Sequence, residues 1–282
     1  MLRRMKLVLI AFLGASAMLS ARPTAAAEFA VEVISYAAGT VPDDRFTDPN
    51  SALGSPDGVT GESGAFPGVL SPFNPAFGED ELTQIGGGGH LTLRLARPVV
   101  VGPGPEIGVI ENAGVIETDF PNGTAGNPVG IFGSDAAKVE VSADGTTWVA
   151  LHGGDLILFD RPAMFFTNAG PFDAAAPDEL QLSDFGKPFT PAGGIAAFSG
   201  LTYPEIVSLF DGSGGGTWID LDESGLSQVE FVRFSVPEGS ETTLEIDAVV
   251  LNSAAVPEPA TWMLLALGGM LVIAKRRCRV SP

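Results

Sequence analysis

Apolar and polar residues alternate along several short stretches of the chain. In HLTLRL, Leu91, Leu93 and Leu95 fall on one side and Thr92 and Arg94 on the other, the period of two expected of a strand with one face buried. The same alternation places Val139 and Val141 inward in KVEVS, Val232, Phe234 and Val236 in FVRFSV, and Leu244, Ile246, Ala248 and Val250 in LEIDAVVL. VEVISY follows it less cleanly, with Val31, Val33 and Ser35 opposite Glu32, Ile34 and Tyr36. Ala143-Asp144-Gly145 separates KVEVS from TTWVAL, and Gly145 can take the positive φ that a tight hairpin demands. With 36 glycines and 22 prolines among 282 residues, many short strands joined by turns are expected rather than helical bundles. The pattern predicts an all-β body, a sandwich with two packed faces.

Both ends break the alternation. MLRRMK, the apolar run LVLIAFLGASAML and the small residues Ala25-Ala26-Ala27 form the three-part layout of a secretory signal, so residues 1–27 are expected to be a signal helix removed by signal peptidase. At the other end, Pro257-Glu258-Pro259 precedes an apolar run from Trp262 to Ala274, in which Leu264, Leu265, Leu267, Leu271 and Ile273 supply most of the hydrocarbon. The run is shorter than the roughly 20 residues that span a bilayer comfortably. Lys275, Arg276, Arg277 and Arg279 follow at once, a basic stop that holds this end in the cytoplasm and leaves the body outside. A short C-terminal transmembrane helix is expected here, with residues 256–259 kept extended by the prolines.

Charge narrows the partners. The chain has 15 basic and 34 acidic residues. Eight of the bases (Arg3, Arg4, Lys6, Arg22 and the four of the tail) and one acid, Glu258, lie outside residues 28–256, so the body keeps 7 bases against 33 acids, a net charge of −26. Such a body repels nucleic acid and anionic lipid and attracts divalent cations. The single cysteine, Cys278, lies in the tail, so the body has neither a disulfide nor a thiol nucleophile. His90 and His152 lack the spacing of a two-histidine metal centre and are expected at loops or strand edges.

Five segments occur in an order that resembles the galactose-binding-like, or discoidin-like, jelly-roll sandwiches of secreted bacterial proteins: DPNSALGSPDG (48–58), residues 85–112 from IGGGGH to VIEN, AAKVEVSADGTTWVAL (136–151), residues 214–236, and LEIDAVVL (244–251). The likeness places that sandwich at 28–253, with an insertion at about 153–212. Gly108-Val109-Ile110 departs from the continuous strand usual at that place. In some relatives the likeness implies a calcium ion in the first loop, where Asp48, Asn50 and Asp57 offer hard oxygen donors; Asx turns explain the same residues without a metal. A second acidic run, Asp220, Asp222 and Glu223, reads as a solvated turn. The glycine runs at 86–89 and 212–216 lack the Lys-Ser/Thr of a phosphate loop and read as flexible turns into strands. Trp148, Trp218 and Tyr203 are the aromatic residues able to stack on a sugar ring. Trp148 and Trp218 also suit a core or sandwich edge, while Tyr203, in the insertion, is the freest of the three.

Pro-Glu-Pro, a marginal span and an arginine cluster, together covering 256–280, closely resemble the PEP-CTERM sorting signal. The likeness implies recognition by an exosortase, a membrane-embedded transpeptidase-like protease, in a Gram-negative bacterium that makes exopolysaccharide. The expected protein is therefore exported, transiently anchored, and then at the surface or in the extracellular matrix. There it acts as a non-catalytic binding or structural component whose partner is extracellular polysaccharide. The alternative is a carbohydrate-active hydrolase that uses paired carboxylates, a pair that leaves no mark in a chain this acidic.

Overall fold

A computed structural model describes residues 27–253, apart from 42, 63 and 65. The signal helix, the Pro257-Glu258-Pro259 motif, the apolar run after it and the basic stop lie outside the described residues. Among those described, no helix is long and apolar enough to cross a membrane.

Ten strands build the body: β1 (Glu28–Ala37), β2 (Thr83–Ile85), β3 (His90–Val100), β4 (Ile107–Glu111), β5 (Asp135–Ser142), β6 (Val149–Ala150), β7 (Ile157–Phe159), β8 (Thr217–Ile219), β9 (Gln228–Ser235) and β10 (Leu244–Leu251). They run in the order β6-β5-β9-β3-β1-β10-β4-β8, with β7 also paired to β5 and β2 to β10, and every pairing is antiparallel. β1 turns this continuous sheet into a sandwich. Its first two residues pair with β10 and the remainder with β3, the device by which one strand serves two packed layers. The core between the layers holds Leu91, Leu93, Leu95, Val139, Val141, Val232 and Phe234, all at most 1% exposed.

Two departures from strict alternation have one cause. In β1 the register shifts between Ala30 and Glu32 and again between Val33 and Ser35. Val31 and Ile34 are therefore about half exposed while Ala30 is fully buried, because each extra residue reverses which face follows it. In β10 a shift between Ile246 and Ala248 divides the expected inward set. Leu244, Ile246, Val249 and Leu251 enter the main core, whereas Ala248 and Val250 face a second cluster with Leu70, Leu82, Ile110 and Phe185.

That second cluster exists because Leu70, Ala76 and Leu82, together with Ala163 and Phe185 from the segment after β7, cover the outer face of β10 and β4. Met164 N–H donates to the Gly214 carbonyl (3.0 Å) and Phe165 N–H to that of Leu70 (3.1 Å). A short helix, α1 (Tyr203–Phe210), closes the layer. It starts where the Glu205 carboxylate accepts from both the backbone and the hydroxyl of Thr202 (2.9 and 2.7 Å), a reciprocal cap. Its Ile206 and Phe210 pack with Met164, Phe189 and Phe198, and Phe189 stacks on Phe210 at 4.4 Å.

The glycine runs are close-packed seams rather than flexible turns. A β-carbon on Gly86 would lie 1.9 Å from the Thr40 carbonyl oxygen, and one on Gly215 would lie 2.3 Å from that of Pro162. Backbone meets backbone at both places. The hairpin at Asp144 forms as expected: Gly145 has φ of 71°, and the Asp144 carboxylate accepts from Thr146 and Thr147 N–H (2.8 and 2.7 Å), which holds its pKa below the usual range.

Candidate functional site

A cleft of about 370 Å³ opens where β7, at the outer edge of one layer, comes beside β8, at the outer edge of the other. That volume lies within the range of about 300–1,000 Å³ typical of small-molecule sites. The two edges are joined by one hydroxyl. Thr217 Oγ1 accepts from the backbone N–H of Asp160 and Arg161 (3.3 Å each) and donates to Glu111 Oε1 (3.1 Å). Asp160 and Arg161 form an ion pair through Oδ1 and Nη1. Leu156 and Leu158 line one side and are about half exposed; Phe189, Thr190 and Pro191 line another.

Trp218 forms part of the wall. Its indole N–H donates to the Gly215 carbonyl (2.9 Å), and its ring covers Gly108, where a β-carbon would lie 2.8 Å away. The unusual Gly108 in β4 therefore has a packing reason. Trp148 is placed elsewhere, with the Arg233 guanidinium 3.8 Å from its ring centre, a cation–π stack over the outer surface of β9. Tyr203 is only 7% exposed and packs against Phe73 at 6.3 Å between centroids. Its place in the core corrects the expectation of a free stacking ring. His152 and Glu223 meet at 3.7 Å at the cleft rim.

Behind the cleft lies a group of acids that the alternation pattern does not single out. Glu111 is 2% exposed and its Oε2 has no hydrogen-bond partner. Burial raises its pKa well above the usual carboxylate range, the charge of Asp135 adds to this, and the Thr217 bond opposes it. Asp135, at the start of β5, is pushed up to about 7 by burial and by Glu245. Glu245 accepts from the side-chain amides of Gln84 (2.6 Å) and Asn112 (2.8 Å). A charged residue ending the apolar run IGVI was the available sign of Glu111, since a buried acid at a strand end is a functional-site candidate on physical grounds.

The residues considered for calcium are distributed differently. Asp48 Oδ1 accepts from both the backbone and the side chain of Asn50 (2.9 and 2.8 Å), capping a 3-10 turn. Asp57 instead lies in the field of Glu81, Asp80 and Glu62, which together with burial raises its pKa, burial being the larger cause. Asp247 sits in the β10 bulge, 3% exposed, with Oδ2 unpartnered. Burial, and then the charges of Asp57 and Glu81, raise its pKa well above normal. Glu81 is fully engaged, accepting from the Thr60 hydroxyl and from Gly61, Phe77 and Gly78 N–H. Asp247 and Glu81 are buried and Asp57 is exposed, and carboxylate oxygens are donors of the kind a hard cation takes. Among the described residues, three acids with oxygens within 4.8 Å of one another occur at Glu106, Asp220 and Asp222. There Glu106 already accepts from Gly102 and Leu221 N–H (2.7 and 2.9 Å) and braces the loop.

No curated protein matches the chain. The apolar run flanked by prolines and arginines does find a match: residues 255–279 fit the PEP-CTERM protein-sorting motif. The chain thus carries a motif that implies export, sorting to the cell envelope or surface, and processing by an exosortase.

Proposed function

We propose that this protein is a non-catalytic binding or structural component of the extracellular polysaccharide matrix, released or attached there once its sorting segment is cut. The observation that supports export and surface sorting in this reading is the sorting motif, which follows the last strand of the sandwich after a few residues. Every strand among the described residues thus precedes the motif in the chain. Signal peptidase acts first, after Ala27, and the exosortase then acts near Pro257-Glu258-Pro259. Mass spectrometry of the extracellular protein should find no peptide from 262–282, and Glu258→Ala should leave the protein in the membrane fraction. Intact tail peptides in matrix-associated protein would refute the processing. Binding of polysaccharide without release of reducing ends separates this function from that of a glycan hydrolase.

Calcium is the ion we propose for the loop that contains Asp48, Asn50 and Asp57. Those three residues would supply its oxygen donors, with the buried Asp247 and Glu81 adding negative charge beside Asp57. A divalent ion there would relieve the mutual repulsion of these acids and add to the stability of the folded state.

A further inference from the structure

The cleft between β7 and β8 has a definite chemical character, and the charge of the body restricts what enters it. Trp218, Leu156 and Leu158 present apolar surface, while Asp160 and Arg161 meet at the base as one anion and one cation. Arg161 donates to Asp160 through Nη1, and its planar fork has further donors of fixed geometry. Asp160 is an acceptor with two oxygens. An acceptor beside a donor fork matches neighbouring hydroxyls of a sugar, one donating and the other accepting, while the apolar wall covers the C–H face of the ring. Glu111, bonded to Thr217 under this base, carries an acceptor with no partner. A carboxylate-bearing ligand gains little here. Asp160 already occupies part of the Arg161 fork, and the body as a whole carries a charge of −26 between residues 28 and 256, which repels a polyanion at long range.

We propose that this cleft binds a neutral hexopyranosyl unit of extracellular polysaccharide and discriminates against uronic acids, with Asp160 and Arg161 holding the hydroxyls and Trp218 and Leu158 covering the ring. The proposal rests on the matrix-binding reading above and names its ligand class. The site is built by the segment folded between β7 and β8, so it belongs to this elaboration rather than to the sandwich alone.

The test is calorimetric titration of the exported protein with neutral hexasaccharides (cellohexaose, isomaltohexaose and a galactan hexamer) and with hexagalacturonate. At least one neutral hexamer should bind and hexagalacturonate should not. Thr190 is exposed at the rim, so Thr190→Trp should block the cleft without touching the core and abolish binding. Asp160→Asn should weaken neutral binding by about tenfold, the loss of one good polar contact, and should raise affinity for hexagalacturonate by freeing the Arg161 charge. A purely structural role for Asp160 would not produce that exchange of preference. Equal or tighter binding of hexagalacturonate by the wild-type protein overturns the assignment of a neutral ligand. Neutral binding unaffected by Thr190→Trp overturns the cleft and leaves the matrix-binding reading standing. Binding of none of the four probes overturns the proposal, and whether the matrix-binding reading fails with it is then decided by sedimentation with the isolated matrix polysaccharide.

Discussion

Asp135→Asn should stabilise the protein at alkaline pH and lose that advantage in acid. Burial and the nearby Glu245 push the Asp135 pKa from its ordinary 3.8 up to about 7. That shift of about 3 units corresponds to about 4 kcal/mol at 1.36 kcal/mol per unit. Solvent reaches part of this carboxyl, so an effective cost of about 2–4 kcal/mol is the better figure. The sign follows from proton binding. Between the two pKa values the folded state holds a proton that the unfolded chain releases, so stability falls as pH rises from about 4 to about 7 and stays lower above that. Asparagine cannot ionise, and its carbonyl oxygen can still accept a backbone N–H. At pH 8 the variant should therefore melt higher by roughly 4–15 °C, on the scale of about 2–4 °C per kcal/mol for a domain of this size. Near pH 4 the two proteins should melt together. Thermal unfolding at both pH values decides the matter. An equal gain at pH 4 and pH 8 would mean that the substitution acts through packing, and no gain at pH 8 would refute the electrostatic argument. Glu245→Gln provides the second arm: with that charge removed, the pH range over which wild-type stability falls should move to lower pH.

Two further predictions concern the seams and the ion. Gly86→Ala places a β-carbon 1.9 Å from the Thr40 carbonyl oxygen, where neither backbone can yield without breaking the Thr40–Gly87 bridge; chemical denaturation should show a loss of about 3 kcal/mol or more. Calcium at millimolar concentration should raise the melting temperature and chelator should lower it. Asp57→Ala should remove the difference, and a melting curve indifferent to calcium in the wild-type protein would discard the ion.

The strands that could be read from the chain are those whose two faces meet different surroundings. Leu91, Leu93 and Leu95 alternate with Thr92 and Arg94 in the sequence, and Leu91 and Leu93 pair in unbroken register with Phe234 and Val232 of β9. β1 and β10 were harder because bulges shift their phase, and a bulge has no fixed residue signature once neither face is simply wet. In β10 the difficulty is greater still. Both faces are covered, one by the main core and the other by Leu70, Ala76, Leu82, Ala163 and Phe185, so after Asp247 the run LEIDAVVL has no polar residue to reveal the slip. The same covering hides Asp247: an aspartate between isoleucine and alanine reads as an outward position, yet it is buried.

The cleft was illegible for a different reason, since Asp160 and Thr217, which meet through one hydroxyl, are 57 residues apart. No local period links them. The chain does carry a trace of their meeting in the run GSGGG, which by spacing alone looks like a flexible turn. In the fold, Gly215 has φ of 83° and lies so close to Pro162 that no side chain fits, and Ala163 bridges to it directly. Those contacts bring the residues after β7 against the residues before β8. A run of glycines bordering a strand can therefore mark a seam where distant edges of a sandwich are drawn together, and the residues flanking the two sides of that seam, here Asp160-Arg161 and Thr217-Trp218, are where a shared site is to be sought. Gly215→Ala should accordingly open the seam, lower the melting temperature and abolish ligand binding in the cleft, even though Gly215 itself contacts no ligand.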